Sequence, residues 1–362
     1  MPSEITAIGL MSGTSLDGID VAVMRTDGER SMRHLYAKTF EYDAETRDLI
    51  RQCIGLRDET DPRIARAEEL LTRAHAEACR EALLLHPETL IIGFHGQTIW
   101  HAPEEGRTRQ LGDAPLLADL TQRTVIYNFR QDDMDNGGQG APLLPLYHVA
   151  RAHGLPKPLA VLNIGGVANV TWIGEGKDDL IAFDTGPGNA LLNDWVEVQT
   201  GEFMDKGGEY AAKGKANQAW VKKQLNRPYL SQKPPKSLDR QDFDLSGAVL
   251  DWSFEDGAAT LTLLTAACVF AAIKHLPEAP RMWIITGGGR RNPTMMREIK
   301  KLVDTQTVTA EAVAWDGDAL EAEGFAYLAV RSMHKLPLTL PQTTGCRTPT
   351  LGGTMVRPNL PS

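Results

Sequence analysis

The sequence predicts a mixed α/β fold in two related lobes, and three observations lead there. The first forty residues alternate apolar runs with polar turns, as a three-stranded meander does. A second meander begins near residue 159, again with a glycine turn after its first strand. Helical and strand-like stretches then alternate behind each meander, the order of a layered α/β architecture. At 362 residues the chain is long enough for two domains, and 42% hydrophobic against 23% charged residues lets each bury a core.

In order, strands are expected at residues 5–11, 19–26 and 32–42, joined by a polar turn and by Asp27-Gly28. Helices follow at about 44–54 and 64–85, the second opened by the start signal Asp61-Pro62. Residues 89–94 read as a buried strand running into a loop at 95–98, and residues 124–129 as a strand running into a polar loop at 130–140. The second half restarts with strands at 159–164, 167–173 and 180–183, followed by a helical run at 190–198. Then come a long apolar helix at about 258–276, a strand at 282–286, a helix from about Pro293 and a last helix near 320–334. The expected division is a first lobe of residues 1–130 and a second of 131–335, with 336–362 packing back on the first. A ligand is expected in the cleft between the lobes, facing the strand ends.

The net charge of −9, with no dense Lys/Arg stripe, argues against a nucleic-acid or anionic-membrane partner. Cys53, Cys79, Cys268 and Cys346 are far apart and form no C-x-x-C pair, so they read as thiols of a reducing compartment rather than a zinc site or disulfide frame. Met1-Pro2-Ser3-Glu4 carries no charged leader before a long apolar run, and no segment is expected to reach the ~18 apolar residues of a spanning helix. The expectation is a cytoplasmic protein, with a homodimer as the candidate assembly.

Three glycine-rich turns follow predicted strands. The first is Met11-Ser12-Gly13-Thr14-Ser15-Leu16-Asp17-Gly18-Ile19-Asp20, where small residues, hydroxyls and turned N–H groups can make an anion nest. A polar hairpin tip is the plain alternative. The second is Phe183-Asp184-Thr185-Gly186-Pro187-Gly188-Asn189, running into a helix whose first N–H groups and dipole favour a phosphate; Asn189 could equally be the N-cap. The third is Thr286-Gly287-Gly288-Gly289-Arg290-Arg291-Asn292, where bare backbone gives a flat ring such as adenine a wall to lie on. There is no Walker loop, Leu191 occupies the last glycine position of a would-be G-x-G-x-x-G, and the protein-kinase H-R-D and D-F-G elements are absent.

Two lobes with a phosphate turn in each and a later adenosine-type turn resemble the superfamily of sugar kinases, heat-shock chaperones and actin. Within it, the first turn is similar to the N-terminal motif of anhydro-N-acetylmuramic acid kinases. So are Phe94-His95-Gly96-Gln97-Thr98, Asn128-Phe129-Arg130, Gly137-Gly138-Gln139-Gly140-Ala141-Pro142-Leu143 and Asn163-Ile164-Gly165-Gly166-Val167-Ala168-Asn169, together with the second and third turns. These motifs keep the family's order from residue 10 to about 292, so the resemblance covers essentially the whole chain. It implies a two-lobed ribonuclease H-like/actin-like ATPase fold with a duplicated mixed β-sheet core and an interlobe cleft. It also implies ATP and Mg²⁺, and opening of a 1,6-anhydro sugar bridge by water while O6 receives the γ-phosphate.

Asp184 is the expected base, at a strand end beside the transferring phosphate; the alternatives are a turn cap or a holder of solvated magnesium. One carboxylate suffices for this chemistry, because electrophilic phosphorus takes the place of the proton that an inverting hydrolase would deliver to the leaving oxygen. Gly13, Thr14, Ser15, Leu16, Asp17, Gly18, Ile19 and Asp20, then Gly186, Gly188 and Asn189, then Gly287, Gly288, Gly289 and Asn292 are the expected nucleotide residues. His95, Gln97, Asn128 and Arg130 offer imidazole, amide and guanidinium groups to a sugar carrying an acetamido group and a lactyl carboxylate, and Gly165, Gly166 and Asp184 join them. Arg130 could instead pair with Asp132, Asp133 or Asp135, and His95 could be an ordinary core residue. Asp17 and Asp20 are the candidate Mg²⁺ ligands, although Asp20 could pair with Arg25. Asp318, Glu321 and Glu323 read as the acidic first turn of the last helix. A kinase for another anhydrosugar, such as levoglucosan, and a chaperone- or actin-like ATPase are the rival readings.

Overall fold

Apolar runs rich in Ile, Val and Ala form the strands, which in chain order are β1 Ile5–Ser12, β2 Gly18–Thr26, β3 Met32–Glu41, β4 Ile91–Phe94, β5 Gln97–Ala102, β6 Arg107–Leu111, β7 Thr124–Tyr127, β8 Leu159–Ile164, β9 Val167–Ile173, β10 Leu180–Pro187, β11 Met282–Thr286, β12 Gln306–Thr309 and β13 Thr354–Val356. The computed structural model describes residues 2–13, 16, 18–176, 179–238, 243 and 251–359. The segment expected as a loop at 95–98 instead enters β5, which pairs with β6 as an antiparallel hairpin, Gln97 opposite Leu111. That strand buries the adjacent residues Ile99 and Trp100 at an irregularity between Thr98 and Trp100, so no alternation marks it in the sequence.

The chain divides into two compact units, Met1–His153 with Asp318–Ser362, and Gly154–Gly317. The first holds a six-stranded sheet in the order β13-β7-β4-β1-β2-β3. β1, β2 and β3 are an antiparallel meander, whereas β4 and β7 run parallel to β1. The second unit repeats the plan as β10-β9-β8-β11-β12, with an antiparallel meander of β8 to β10 and parallel β11 and β12. Each sheet therefore shows the same core order, third-second-first-fourth-fifth, with the same strand directions. This is the duplicated mixed sheet of the ribonuclease H-like, actin-like fold.

The unit boundaries fall at 153/154 and 317/318 rather than 130/131 and 335/336. The reason is the helix Leu320–Met333, which lies on the first sheet. Gly9 of β1 and Gly93 of β4 are register partners. A Cβ on Gly9 would stand 1.8 Å from the Ala322 carbonyl oxygen, and one on Gly93 2.2 Å from that of Phe325. Paired glycines thus open a trough in which helix backbone touches sheet backbone. Glu323, read from the sequence as part of the acidic first turn of this helix, is buried, accepts from the Tyr147 hydroxyl and pairs with His34 Nδ1. β13 closes the circuit, with Met355 opposite Ile126 of β7.

The helix Pro62–Leu85 covers the first sheet, opened by Asp61, whose side chain accepts from Arg63 N, and by Pro62. Its buried face, Ile64, Ala67, Leu71, His75, Ala78, Cys79 and Ala82, recurs at helical spacing. Each fully buried large apolar side chain of this kind, such as Leu71, stabilises by about 1.5–3 kcal/mol.

In the second unit the helix Phe254–Ala272 is capped by Ser253, which accepts from Asp256 N. Against the sequence expectation, the stretch Phe254–His275 is long and apolar enough to cross a membrane by length and composition. Its apolar 18-residue window is 72% buried, with Ala258, Leu261, Leu264, Cys268 and Val269 in the core of the unit. A helix enclosed by its own domain is apolar all round for that reason.

Candidate functional site

In the first unit the C-terminal ends of the parallel strands β1, β4 and β7 share one sheet edge, the place where such folds present ligand-facing loops. Ser12 ends β1, His95 follows β4, and Asn128, Phe129 and Arg130 follow β7. Thr14, Ser15 and Asp17 of the hairpin tip lie outside the described residues. Beside them, Leu16 N–H donates to the Gly13 carbonyl at 3.2 Å, and Leu16 holds a left-handed φ of 58° while burying its side chain. A leucine in that conformation costs about 1 kcal/mol, strain of the kind that clusters where loops meet ligands.

Gly18 and Ile19 serve the fold. A Cβ on Gly18 would meet the Phe40 carbonyl oxygen at 2.3 Å, and Ile19 is buried in the unit core. Asp20 Oδ1 accepts from Thr39 Oγ1 at 2.6 Å across the β2–β3 pair, whereas Arg25 pairs with Glu4.

The loop ends after β4 and β7 meet. Arg130 donates to His95 Nε2 from Nε (3.2 Å) and Nη2 (2.9 Å), and from Nη1 to the Gly140 carbonyl (2.7 Å). Because His95 Nε2 accepts, its proton resides on Nδ1, which donates to the Gly96 carbonyl at 2.8 Å. Burial first, then the adjacent Arg130 charge, hold the His95 pKa well below the usual imidazole range, so this ring is neutral.

The acidic residues after Arg130 have other duties. Asp133 accepts from Thr339 and Thr344 hydroxyls and from Gly140 N, and Asp135 accepts from Gln131. Gly140 is thereby held from both sides, by Asp133 at its N–H and by Arg130 at its carbonyl. Asp132 accepts from Gly353 N. Asn128 is exposed and takes a left-handed φ of 57°, which an asparagine adopts at low cost.

Gln97 is fully buried in a chain that sequence reasoning missed. Tyr42 Oη–H donates to Ser12 Oγ (2.8 Å), Ser12 donates to Gln97 Oε1 (2.6 Å), and Gln97 Nε2 donates to the Thr98 carbonyl (3.2 Å). Ser12 stands inside a motif already singled out; Tyr42, 30 residues away, carries no local signal.

In the second unit the glycine turns pack on one another. Gly188 N and Ala190 N donate to the Gly166 carbonyl, and Asn189 N to that of Gly165. These first N–H groups at the helix Ala190–Thr200, expected to face a phosphate, are therefore engaged within the protein. Nor does Asn189 cap that helix through its side chain: Nδ2 donates to the Ile164 (3.0 Å) and Gly165 (3.2 Å) carbonyls. A Cβ on Gly188 would come within 2.3 Å of the Gly165 carbonyl oxygen, whereas one on Gly165 would meet nothing closer than 3.6 Å. A Cβ on Gly186 would lie 2.7 Å from the Cys268 Cβ.

Of the three adjacent glycines, two are required by packing. A Cβ on Gly287 would lie 2.3 Å from Asn163 Oδ1, and one on Gly289 2.4 Å from Ile164 Cγ2, but on Gly288 the nearest atom is 3.9 Å away. Arg290 braces the turn, donating from Nη1 to the Gly287 carbonyl (3.0 Å) and from Nε to Glu311 (2.7 Å). Asn292 is the N-cap of the helix Pro293–Val303, accepting from Met295 N at 2.9 Å.

Asp184 lies at a bulge of β10 against β9, between Asp184 and Gly186, and is only 6% exposed. Its Oδ2 accepts from Leu238 N at 2.8 Å. Lys236, which the sequence left unassigned, is 5% exposed beside it, and burial pushes its pKa down to about 8. Among the described residues no group of three or more His, Cys, Asp or Glu side chains could hold a metal ion.

Residues 5–358 match the family model described as Anhydro-N-acetylmuramic acid kinase. Relatives carrying that name include one from Rhizorhabdus wittichii, 45% identical over 98% of this chain and 100% of its own length. Another, from Rhodospirillum rubrum, is 47% identical over 97% of this chain and 94% of its own. A third, from Agrobacterium fabrum, is 45% identical over 97% and 98%. With its motifs standing in the family's order along a duplicated mixed sheet, the chain belongs to the anhydro-N-acetylmuramic acid kinase family.

Proposed function

We propose that this protein uses ATP and water to convert 1,6-anhydro-N-acetylmuramic acid into N-acetylmuramic acid 6-phosphate and ADP, in the recycling of cell-wall sugar. Its need for ATP supports a cytoplasmic location. Family membership over the whole chain supports the reaction class, and Asp184 is the observation that carries the mechanism. A carboxylate that is nearly buried, has one oxygen fixed by a backbone N–H and stands on a strand bulge is suited to take a proton from a single water. That water attacks the anomeric carbon from the face opposite the bridge oxygen; the C1–O6 bond breaks and O6 takes the γ-phosphoryl group. The proton remains on Asp184 until solvent removes it. The leaving oxygen is captured by phosphorus, so no second carboxyl is required.

The nucleotide reading rests on the turn around Gly288, where backbone is bare and a Cβ would meet only Asn189 Nδ2 at ordinary contact distance. Asn189 and Arg290 keep that turn and its neighbour in shape. Hydroxyls and N–H groups of residues 13–18 are proposed to hold the phosphates. Asp20, with Asp17, would hold Mg²⁺, which keeps most of its waters, needs few protein ligands and would neutralise phosphate charge. The Arg130 guanidinium, presented by neutral His95 and Gly140, is proposed to meet the lactyl carboxylate, with Gln97 and Asn128 supplying amides to the sugar.

The test is product mass after incubation with Mg-ATP and the anhydro sugar in ¹⁸O-water. A product that gains one phosphoryl group and one labelled water is expected. Gain of phosphate alone, or turnover of levoglucosan but not of the muramic sugar, overturns the proposal.

A further inference from the structure

Residues 229–238 close a circuit of hydrogen bonds with Asp184. Asp184 N–H donates to the Lys236 carbonyl (3.1 Å), the Lys236 ammonium donates to the Tyr229 carbonyl (2.9 Å), and the Tyr229 hydroxyl donates to the Asp184 carbonyl (2.7 Å). Two residues past Lys236, the Leu238 N–H reaches the Asp184 carboxylate. The ammonium lies 4.5 Å from the Tyr229 ring centroid and 5.6 Å from that of Phe183, so ring faces and a carbonyl replace its hydration.

We propose that Lys236 is a positioning residue for Asp184. Residues 232–238 have no regular secondary structure, so no sheet or helix ladder sets the place of Leu238 N–H. The lysine side chain supplies that tie: it fastens its own backbone to Tyr229, Tyr229 is fastened to Asp184, and the loop delivers one N–H to one carboxylate oxygen. The carboxylate is thereby held in a single rotamer before substrate arrives, which is what a base must have if its reach is not to be set by chance. An apolar residue of the same length would fill the space without making the tie.

The inference rests on the reading of Asp184 as base, and the experiment separates the two. Steady-state kcat and both KM values are measured for the full-length protein and for the variants Asp184→Asn, Lys236→Met, Lys236→Arg and Tyr229→Phe, and for Lys236→Met combined with Asp184→Asn. Lys236→Met is expected to lower kcat about tenfold or more with both KM values within about twofold, and Lys236→Arg, which keeps a donor, to recover part of the loss. Added to Asp184→Asn, Lys236→Met is expected to cause no further fall, since a residue acting through the carboxylate has nothing left to position. An equal fall in both backgrounds, or wild-type kcat in Lys236→Met, overturns the inference while leaving Asp184 as base. Wild-type turnover in Asp184→Asn removes the base and the inference with it. Should Lys236→Met fail to fold, Tyr229→Phe breaks the same circuit with the ring retained, and an unchanged kcat there overturns the proposal.

Discussion

Substituting each of Gly287, Gly288 and Gly289 by alanine separates what the glycine turn does for the fold from what it does for the nucleotide. At Gly287 the methyl would sit 2.3 Å from Asn163 Oδ1 and 2.7 Å from the Ile164 carbonyl oxygen, on a backbone with φ +71°. With ψ 176° that backbone lies in a positive-φ extended region that only glycine adopts readily, so alanine costs about 1–3 kcal/mol there and relief of the overlap a further 1–3 kcal/mol. A total of about 4 kcal/mol should lower the melting temperature by roughly 5 °C in a chain of 362 residues. At Gly289 the obstacle is the Ile164 side chain at 2.4 Å, and the cost should again be about 1–3 kcal/mol. At Gly288 the nearest atom is 3.9 Å away and φ is ordinary, so stability should stay within about 0.5 kcal/mol of the parent. That methyl meets only Asn189 Nδ2 at ordinary contact distance, so with adenosine on this wall the KM for ATP should rise about tenfold, the equivalent of about 1.4 kcal/mol of contact. Thermal melts of the three variants and ATP saturation curves for Gly288→Ala give the answer. Unchanged ATP affinity in Gly288→Ala refutes the nucleotide wall; a Gly287→Ala protein as stable as the parent refutes the packing.

Two further substitutions test the first unit. Gly9→Ala places a methyl 1.8 Å from the Ala322 carbonyl oxygen, backbone against backbone, so the expected outcome is no soluble folded protein; a cooperative melt near the parent's would contradict the backbone contact between β1 and the helix Leu320–Met333. His75 is fully buried, donates from Nδ1 to the Leu71 carbonyl (2.8 Å) and leaves Nε2 without a partner, and burial pushes its pKa down from 6.5 to about 4. Its folded pKa lies below the unfolded value, so its contribution is complete above about pH 6.5 and is lost as pH falls toward 4, reaching about 3 kcal/mol at pH 4. Urea melts of the parent and of His75→Leu at pH 7 and pH 5 should show the variant losing about 2 kcal/mol less over that interval; equal losses would show that His75 does not titrate this way.

Much of the fold was legible because it is local. Both meanders, the helix opened by Asp61-Pro62 and the strands leading to each glycine turn follow from side-chain period and turn chemistry, which act over a few residues. The β5–β6 hairpin was not legible, since its buried residues Ile99 and Trp100 are adjacent and set no alternation. The unit boundaries were missed because the helix Leu320–Met333 is assigned by a contact with strands more than two hundred residues earlier, through Gly9 and Gly93. Among the candidate residues of each unit, His95, Gln97 and Arg130 in the first, Asp184 in the second and the three turns could be nominated from motifs, but their duties could not. Asn189 and Asn292 have helix-start chemistry in equal measure, yet one binds the facing turn and the other caps its own helix.

The amino-acid order by itself therefore determined which elements form and which residues carry polar chemistry at strand ends, because period, caps and turn types are properties of neighbouring residues. Only the tertiary structure decided which of those groups are already engaged. It gave the first N–H groups after Gly186 to the Gly165–Gly166 turn, Ser12 to Gln97, and the Leu238 N–H to Asp184. A buried hydrogen bond is a competition among groups brought together from distant parts of the chain, and its outcome exists only once they are packed.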